Sequence, residues 1–174
     1  MHSHSGVSPM HGTAPGAPAG EMPARASLRP IGAVFAVNGS ASQVVIEIAA
    51  ADAFANHADP TMASAGQVGS QLKMRVGSTW LIASIRALRL DSTGERIVAD
   101  IDFIGEGDEE RLTGKLYKFR RGVTRYPSPG CPVFPLSTAD LRQIYAADER
   151  AHIEIGTVYP TRDIRAALYV DALL

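Results

Sequence analysis

The sequence lacks most of what catalytic sites are recognised by. It has a single cysteine, Cys131, so no disulfide can form within the chain, which fits a reducing compartment. Its net charge is −1, so no global field points toward nucleic acid or a membrane surface. No apolar run approaches the roughly 20 residues needed to span a bilayer. The N-terminus has no charged-then-apolar pattern of a secretory signal. A cytoplasmic protein is the expectation.

The catalytic motifs are missing too. No Gly-x-x-x-x-Gly-Lys-Ser/Thr is present, because Gly114-Lys115 is followed by Leu116. There is no His-Glu-x-x-His, no Cys-x-x-Cys and no Gly-x-Ser-x-Gly. Gly105-Glu106-Gly107 lacks the third glycine of a dinucleotide loop and leads into acids rather than a helix, so it reads as a turn.

What is present is a strand pattern. With 174 residues and 45% apolar residues, the chain can bury one domain core. Residues 1–27 are built from Gly, Pro, Ala, Ser and His, a composition expected to stay disordered. The ordered domain is expected over residues 28–174. Ile31-Gly32-Ala33-Val34-Phe35-Ala36-Val37-Asn38-Gly39-Ser40 reads as a strand and turn, and Val44 to Ile48 as the returning strand. Val44, Ile46 and Ile48 alternate with Gln43 and Glu47. Leu72, Met74 and Val76 alternate with Gln71, Lys73 and Arg75, and Ile97, Ala99, Ile101 and Phe103 alternate with Asp100 and Asp102. Each run predicts one buried and one wet face.

Thr79 to Leu90 is apolar on both faces apart from Ser84, Arg86 and Arg89, which predicts a central strand with a second covering. Asp91-Ser92-Thr93-Gly94 then turns into a strand from Arg96 to Ile104, ended by Gly105-Glu106-Gly107-Asp108. Leu112 to Arg121 reads as the next strand, with Gly114 as a bulge. The stretch from Ala49 to Gly66 reads as a loop with a helical turn. The Tyr126–Pro132 segment, with three prolines, reads as a fixed loop. Ser137 is the expected N-cap of a helix to about Ala147, with Asp140 in its first turn and Leu141, Ile144 and Tyr145 as its apolar stripe. The fold class that follows is all-β: a small antiparallel barrel, closed or partly open, with one short helix late in the chain.

Few residues invite chemistry. His2, His4 and His11 are metal-ligand types, but they sit in the Pro/Gly tail, so no metal site is expected. Cys131 with His152 has the elements of a nucleophile and base but no third partner, so a packed loop thiol is expected. Asp100 and Asp102 share a strand face, which reads as a solvated acidic face rather than a catalytic pair. Lys115, Lys118, Arg120, Arg121 and Arg125 form a basic cluster suited to a phosphate backbone, an acidic neighbouring subunit or water. By alternation, Lys118 and Arg120 share one face, while Tyr117 and Phe119 share the other, buried one.

The pattern Ile31-Gly32-x-Val34-x-x-Val37-x-Gly39 followed by Val44–Ile48 resembles the first hairpin of the N-terminal barrel of HerA-type ATPases, a barrel type shared with rotary ATP synthases. Gly122-Val123-x-x-Tyr126-Pro127-x-x-Gly130-x-x-Val133 resembles the stretch where that barrel turns back on itself. Ile153-Glu154-Ile155-Gly156-Thr157 and Ala167–Asp171 resemble the run-up to the motor domain, and Ile155-Gly156-Thr157-Val158 echoes the opening Ile-Gly-x-Val. The sequence stops at Leu174, before the family's phosphate-binding loop. The resemblance thus implies a non-catalytic barrel that steadies a hexameric ring and docks a nuclease or other effector. ATP and Mg would enter only with a motor domain, and DNA would pass through the ring. Acidic Asp100/Asp102 and basic Lys118/Arg120 would be two contacting faces of neighbouring subunits. The rival expectation is a free-standing nucleic-acid-binding barrel of the OB type, which needs exposed aromatics beside the bases.

Overall fold

A computed structural model describes residue 1 and residues 29–39, 42–110 and 112–172. The histidines of the N-terminal tail, and its expected disorder, fall outside these residues.

The architecture is a closed six-stranded antiparallel barrel. β1 (Gly32–Ala36) and β2 (Ser42–Glu47) form the opening hairpin, β3 (Gln71–Val76) and β4 (Thr79–Leu90) the second, and β4 continues into β5 (Arg96–Glu109). β6 (Leu116–Arg121) follows, then β7 (Pro132–Pro135). The order is β2-β1-β7-β3-β4-β5, closed by β2 against the first half of β5, Ser42 opposite Ile101 and Glu47 opposite Arg96. β6 pairs instead with the second half of β5 and hangs outside the ring. Closure removes the exposed edges of the six strands.

Period-two patterning fills the interior. Val34, Val44, Ile46, Leu72, Met74, Ala83, Ile85, Ala99, Ile101 and Val133 meet there, all buried. Each large aliphatic contributes about 1.5–3 kcal/mol by leaving water. Ile48 is the exception to its strand: it opens α1 (Ile48–Asp52), and with α2 (Pro60–Ala63) this makes the helical interruption expected after β2. Gly32 is fixed by a close approach, because a Cβ there would run into the carbonyl of Val45.

The proline-rich stretch is a loop from Tyr126 to Cys131, as expected, but Pro132 opens a strand that the sequence pattern does not show. Pro132 to Pro135 is a strand, inserted between β1 and β3, with Val133 opposite both Gly32 and Met74. Its two prolines lie at its first and last residues, where a missing donor spares the ladder. The non-proline Val133 accepts from Ile31 N–H at 2.8 Å.

A second layer covers one outer side of the barrel. α3 (Thr138–Tyr145) and a separate hairpin of β8 (His152–Thr157) and β9 (Arg165–Tyr169) lie beyond β4 and β6. Trp80, Ile82, Leu116, Leu136, Leu141 and Ile164 form this outer core, with Phe119, Ile144 and Tyr145 against it. The expected double burial of β4 thus holds from Trp80 to Ile85, after which Arg86 and Arg89 reach solvent. The expected cap is present as well: Asp140 N–H donates to Ser137 Oγ, and Asp140 Oδ2 accepts from Ser137 N–H at 3.0 Å.

This covering corrects the wet face expected of β3. Lys73 is 2% exposed, and its ammonium meets Asp140 of α3. The barrel also does not end at the second Ile-Gly. Ile155 and Gly156 lie in the β8–β9 hairpin, outside the barrel, with Ile155 exposed and nothing near Gly156. The two Ile-Gly pairs are equivalent in sequence only. Among the described residues, no helix is long and apolar enough to cross a membrane.

Candidate interaction seam beside β6

The basic cluster lies on β6 and its flanks, and β6 is built differently from its sequence pattern. β5 runs on through Gly105-Glu106-Gly107-Asp108 to Glu109 instead of ending there. Glycine is required on this stretch, because a Cβ on Gly107 would meet Leu116 Cδ1 at 2.5 Å and the Tyr117 carbonyl at 2.8 Å. The close approach lets β6 pair along it. Gly114 is no bulge; it sits in the turn before β6, its N–H donating to the Glu110 carbonyl.

The bulge falls at Lys118. Glu106 faces Arg120 and Asp108 faces Tyr117, leaving Lys118 and Phe119 opposite Gly107 alone. Lys118 takes the left-handed conformation, φ 49°, as the first residue of one bulge type does. The extra residue breaks the alternation. Leu116 and Phe119 turn inward, while Tyr117 and Lys118 both turn to solvent. Tyr117, expected to be buried, is 49% exposed, with Lys118 Nζ 5.2 Å from its ring centre.

The five basic residues do not form one site. Arg120 is engaged by Glu106, its Nη2 2.6 Å from Oε1. Glu106 is 1% exposed and also accepts from Thr124 N–H at 3.0 Å. The Thr124 backbone bond first, and the Arg120 guanidinium after it, hold the Glu106 carboxyl below its ordinary range despite burial. Arg125 lies on that same side, in a depression with Glu106, Arg120 and Thr124. Lys115, Lys118 and Arg121 lie on the other side, along the seam between β6 and α3. Lys115 and Tyr117 line one depression with Glu110, Arg142 and Gln143. Lys118 and Arg121 line an adjoining cleft of about 450 Å³, which Gln143 also borders.

The far end of that cleft has mixed charge. Asp148 and Arg150 pair there at 2.9 Å, with Arg150 stacked 3.9 Å above the ring centre of Tyr169. The Asp148 carboxyl is held below its ordinary range, chiefly by Arg150. Burial pushes the Tyr145 phenol up.

The acidic face is already satisfied within the chain. Asp100 accepts from Gln43 at 2.9 Å and from Arg89 at 3.1 Å, and Asp102 lies 3.7 Å from Arg86. Cys131 and His152 lie in different parts of the fold, Cys131 beside β7 and His152 on β8. Cys131 packs against the barrel core with its thiol toward the Arg75 carbonyl, and burial raises its pKa. His152 meets the Tyr169 ring edge to face in the outer hairpin. No protein-family model and no curated protein matches the sequence.

Proposed function

We propose that this chain is an assembly and partner-docking barrel of the HerA type, the N-terminal module of a hexameric DNA-translocating ATPase acting in DNA end processing or anti-phage defence. The observation that carries the reading is the closed antiparallel barrel, with Ile31-Gly32-x-Val34 as its first strand and Gly32 pressed against β2. Gly122 to Val133, the second stretch of the resemblance, is the segment that returns to complete the ring through β7. The interior is filled by side chains, so binding belongs to the outer surfaces.

Two such surfaces are apolar and well separated in the chain. One is Phe35 on β1, 60% exposed. The other is Ile153, Ile155 and Tyr159 on and beside β8. A ring needs two different faces per subunit, and these supply them better than Asp100/Asp102, which their own arginines occupy. In this reading the barrel hydrolyses nothing itself, and ATP and Mg belong to the motor. Its partners are further copies and a nuclease or other effector.

The coding sequence just past Leu174 tests the proposal. A Gly-x-x-x-x-Gly-Lys-Ser/Thr loop a short distance downstream is the expected result. A stop codon there overturns the motor-linked reading and leaves a self-standing adaptor.

A further inference from the structure

We propose that the seam between β6 and α3 binds single-stranded nucleic acid, with Tyr117 as a base platform and Lys115, Lys118 and Arg121 as phosphate contacts. This goes beyond the assembly reading and does not depend on it.

Charge accounting and clustering together point to the seam. Arg75, Arg86, Arg89, Arg96, Arg120, Arg142, Arg150, Arg165 and Lys73 each have a carboxylate within 4.0 Å. Among the described residues, Lys115, Lys118, Arg121, Arg29, Arg125 and Arg162 have none, and of these only the first three gather along one seam. Three cations thus share the seam without an ion pair, the bordering acids Glu110 and Asp148 lying beyond 4.0 Å of them.

The bulge adds what charge alone does not. It turns Tyr117 and Lys118 outward together, so an aromatic face stands exposed between cations at strand spacing. Cations that track a backbone, combined with an aromatic ring that takes an unpaired base, are the elements of single-strand binding. A duplex offers no free base face to Tyr117, and an acidic peptide would use the cations but not the ring. β6 is about 20 Å long, enough for a few nucleotides. Asp148 borders the cleft at one end and Glu110 the depression at the other, so the phosphates run along the outer rim between them, past Lys115, Lys118 and Arg121.

Fluorescence anisotropy with a labelled oligothymidylate, titrated with the whole chain across a salt series, tests the proposal. Binding at low salt is expected, with log K falling against log salt at a slope of about −2, as three phosphate contacts give. Tyr117→Ala is expected to weaken binding about tenfold, while Tyr117→Phe retains it. The Lys118→Ala/Arg121→Ala double variant is expected to make the slope shallower by about 1.4. Arg125→Ala, in a separate depression, is expected to change nothing. Absence of binding at low salt overturns the proposal, as does binding indifferent to Tyr117→Ala. So does equal competition by polyglutamate of the same charge, which would make the seam a surface for acidic peptides. None of these failures bears on the downstream coding sequence, so the assembly reading is judged separately.

Discussion

Lys73 of β3 and Asp140 of α3 join the barrel to its outer layer through one bond, Nζ to Oδ2 at 2.7 Å, with both side chains sealed from water. The two are not equal partners. Asp140 also accepts from Ser137 N–H and Oγ and from Leu116 N–H, so it caps α3 and fixes the start of β6. Lys73 has the acid and, 5.0 Å from its ammonium, the ring of Trp80. Asp140→Ala is therefore expected to cost about 3–5 kcal/mol, since it leaves a buried ammonium and an uncapped helix. Lys73→Met keeps the cap and is expected to cost less. Urea denaturation of the two variants checks the order, and equal losses would contradict it.

Acid should loosen the β5–β6 pairing through Glu106. Its folded pKa lies below its unfolded one, so its contribution is present above the unfolded value of about 4.3 and is lost as pH falls through the folded value. Glu106→Gln is expected to flatten the decline in stability below about pH 4. Part of the decline should persist, because Asp59 and Asp100 are also held low. Unfolding midpoints measured across acidic pH decide this, and an unchanged slope would exclude Glu106.

The two glycines of the repeated Ile-Gly should both resist alanine, the first through a clash and the second through its backbone. Gly32→Ala forces a methyl into the Val45 carbonyl and is expected to cost more than about 2 kcal/mol. Gly156→Ala meets no atom within 4 Å, but φ there is 157°, a conformation that L side chains rarely adopt, so a loss of about 1–2 kcal/mol is expected from the backbone alone. Thermal melts of both variants suffice. No loss at Gly156 would mean that the hairpin backbone relaxes there into a conformation open to any residue.

Lys118 offers a test of the bulge itself. Its left-handed backbone suits glycine and disfavours a β-branched residue. Lys118→Gly is expected to be neutral or to stabilise by up to about 1 kcal/mol, and Lys118→Val to destabilise by about 1–2 kcal/mol. If valine were tolerated as well as glycine in chemical denaturation, the bulge would lie elsewhere.

The barrel was legible where a strand has one buried face. Val44 and Ile46, Leu72 and Met74, and Ala99 and Ile101 alternate in sequence and meet in the interior. The α3 cap was legible because Ser137 and Asp140 act within one helical turn. Lys73 was misjudged because local alternation does not reveal that a helix 67 residues later covers the outer face. β7 was hidden by its prolines, which argue against a strand everywhere except at its ends. The seam was half legible: its cations stand out in sequence, but the exposure of Tyr117 depends on a bulge that a period-two reading places at Gly114. Only the pairing of Asp108 with Tyr117 and Glu106 with Arg120 locates the extra residue.

The position of β7 also sets a timetable for synthesis. Gly32 pairs with Val133 at one edge of the opening hairpin, and Met74 meets the same residue from the other side. β3, β4 and β5 can zip together as neighbours while the chain is still emerging from the ribosome. The first strand cannot find its second partner until residues beyond 133 are outside the tunnel. Until then the β1 and β3 edges lie open, and the nascent chain is most vulnerable to mispairing in the interval between translation of β5 and translation of β7.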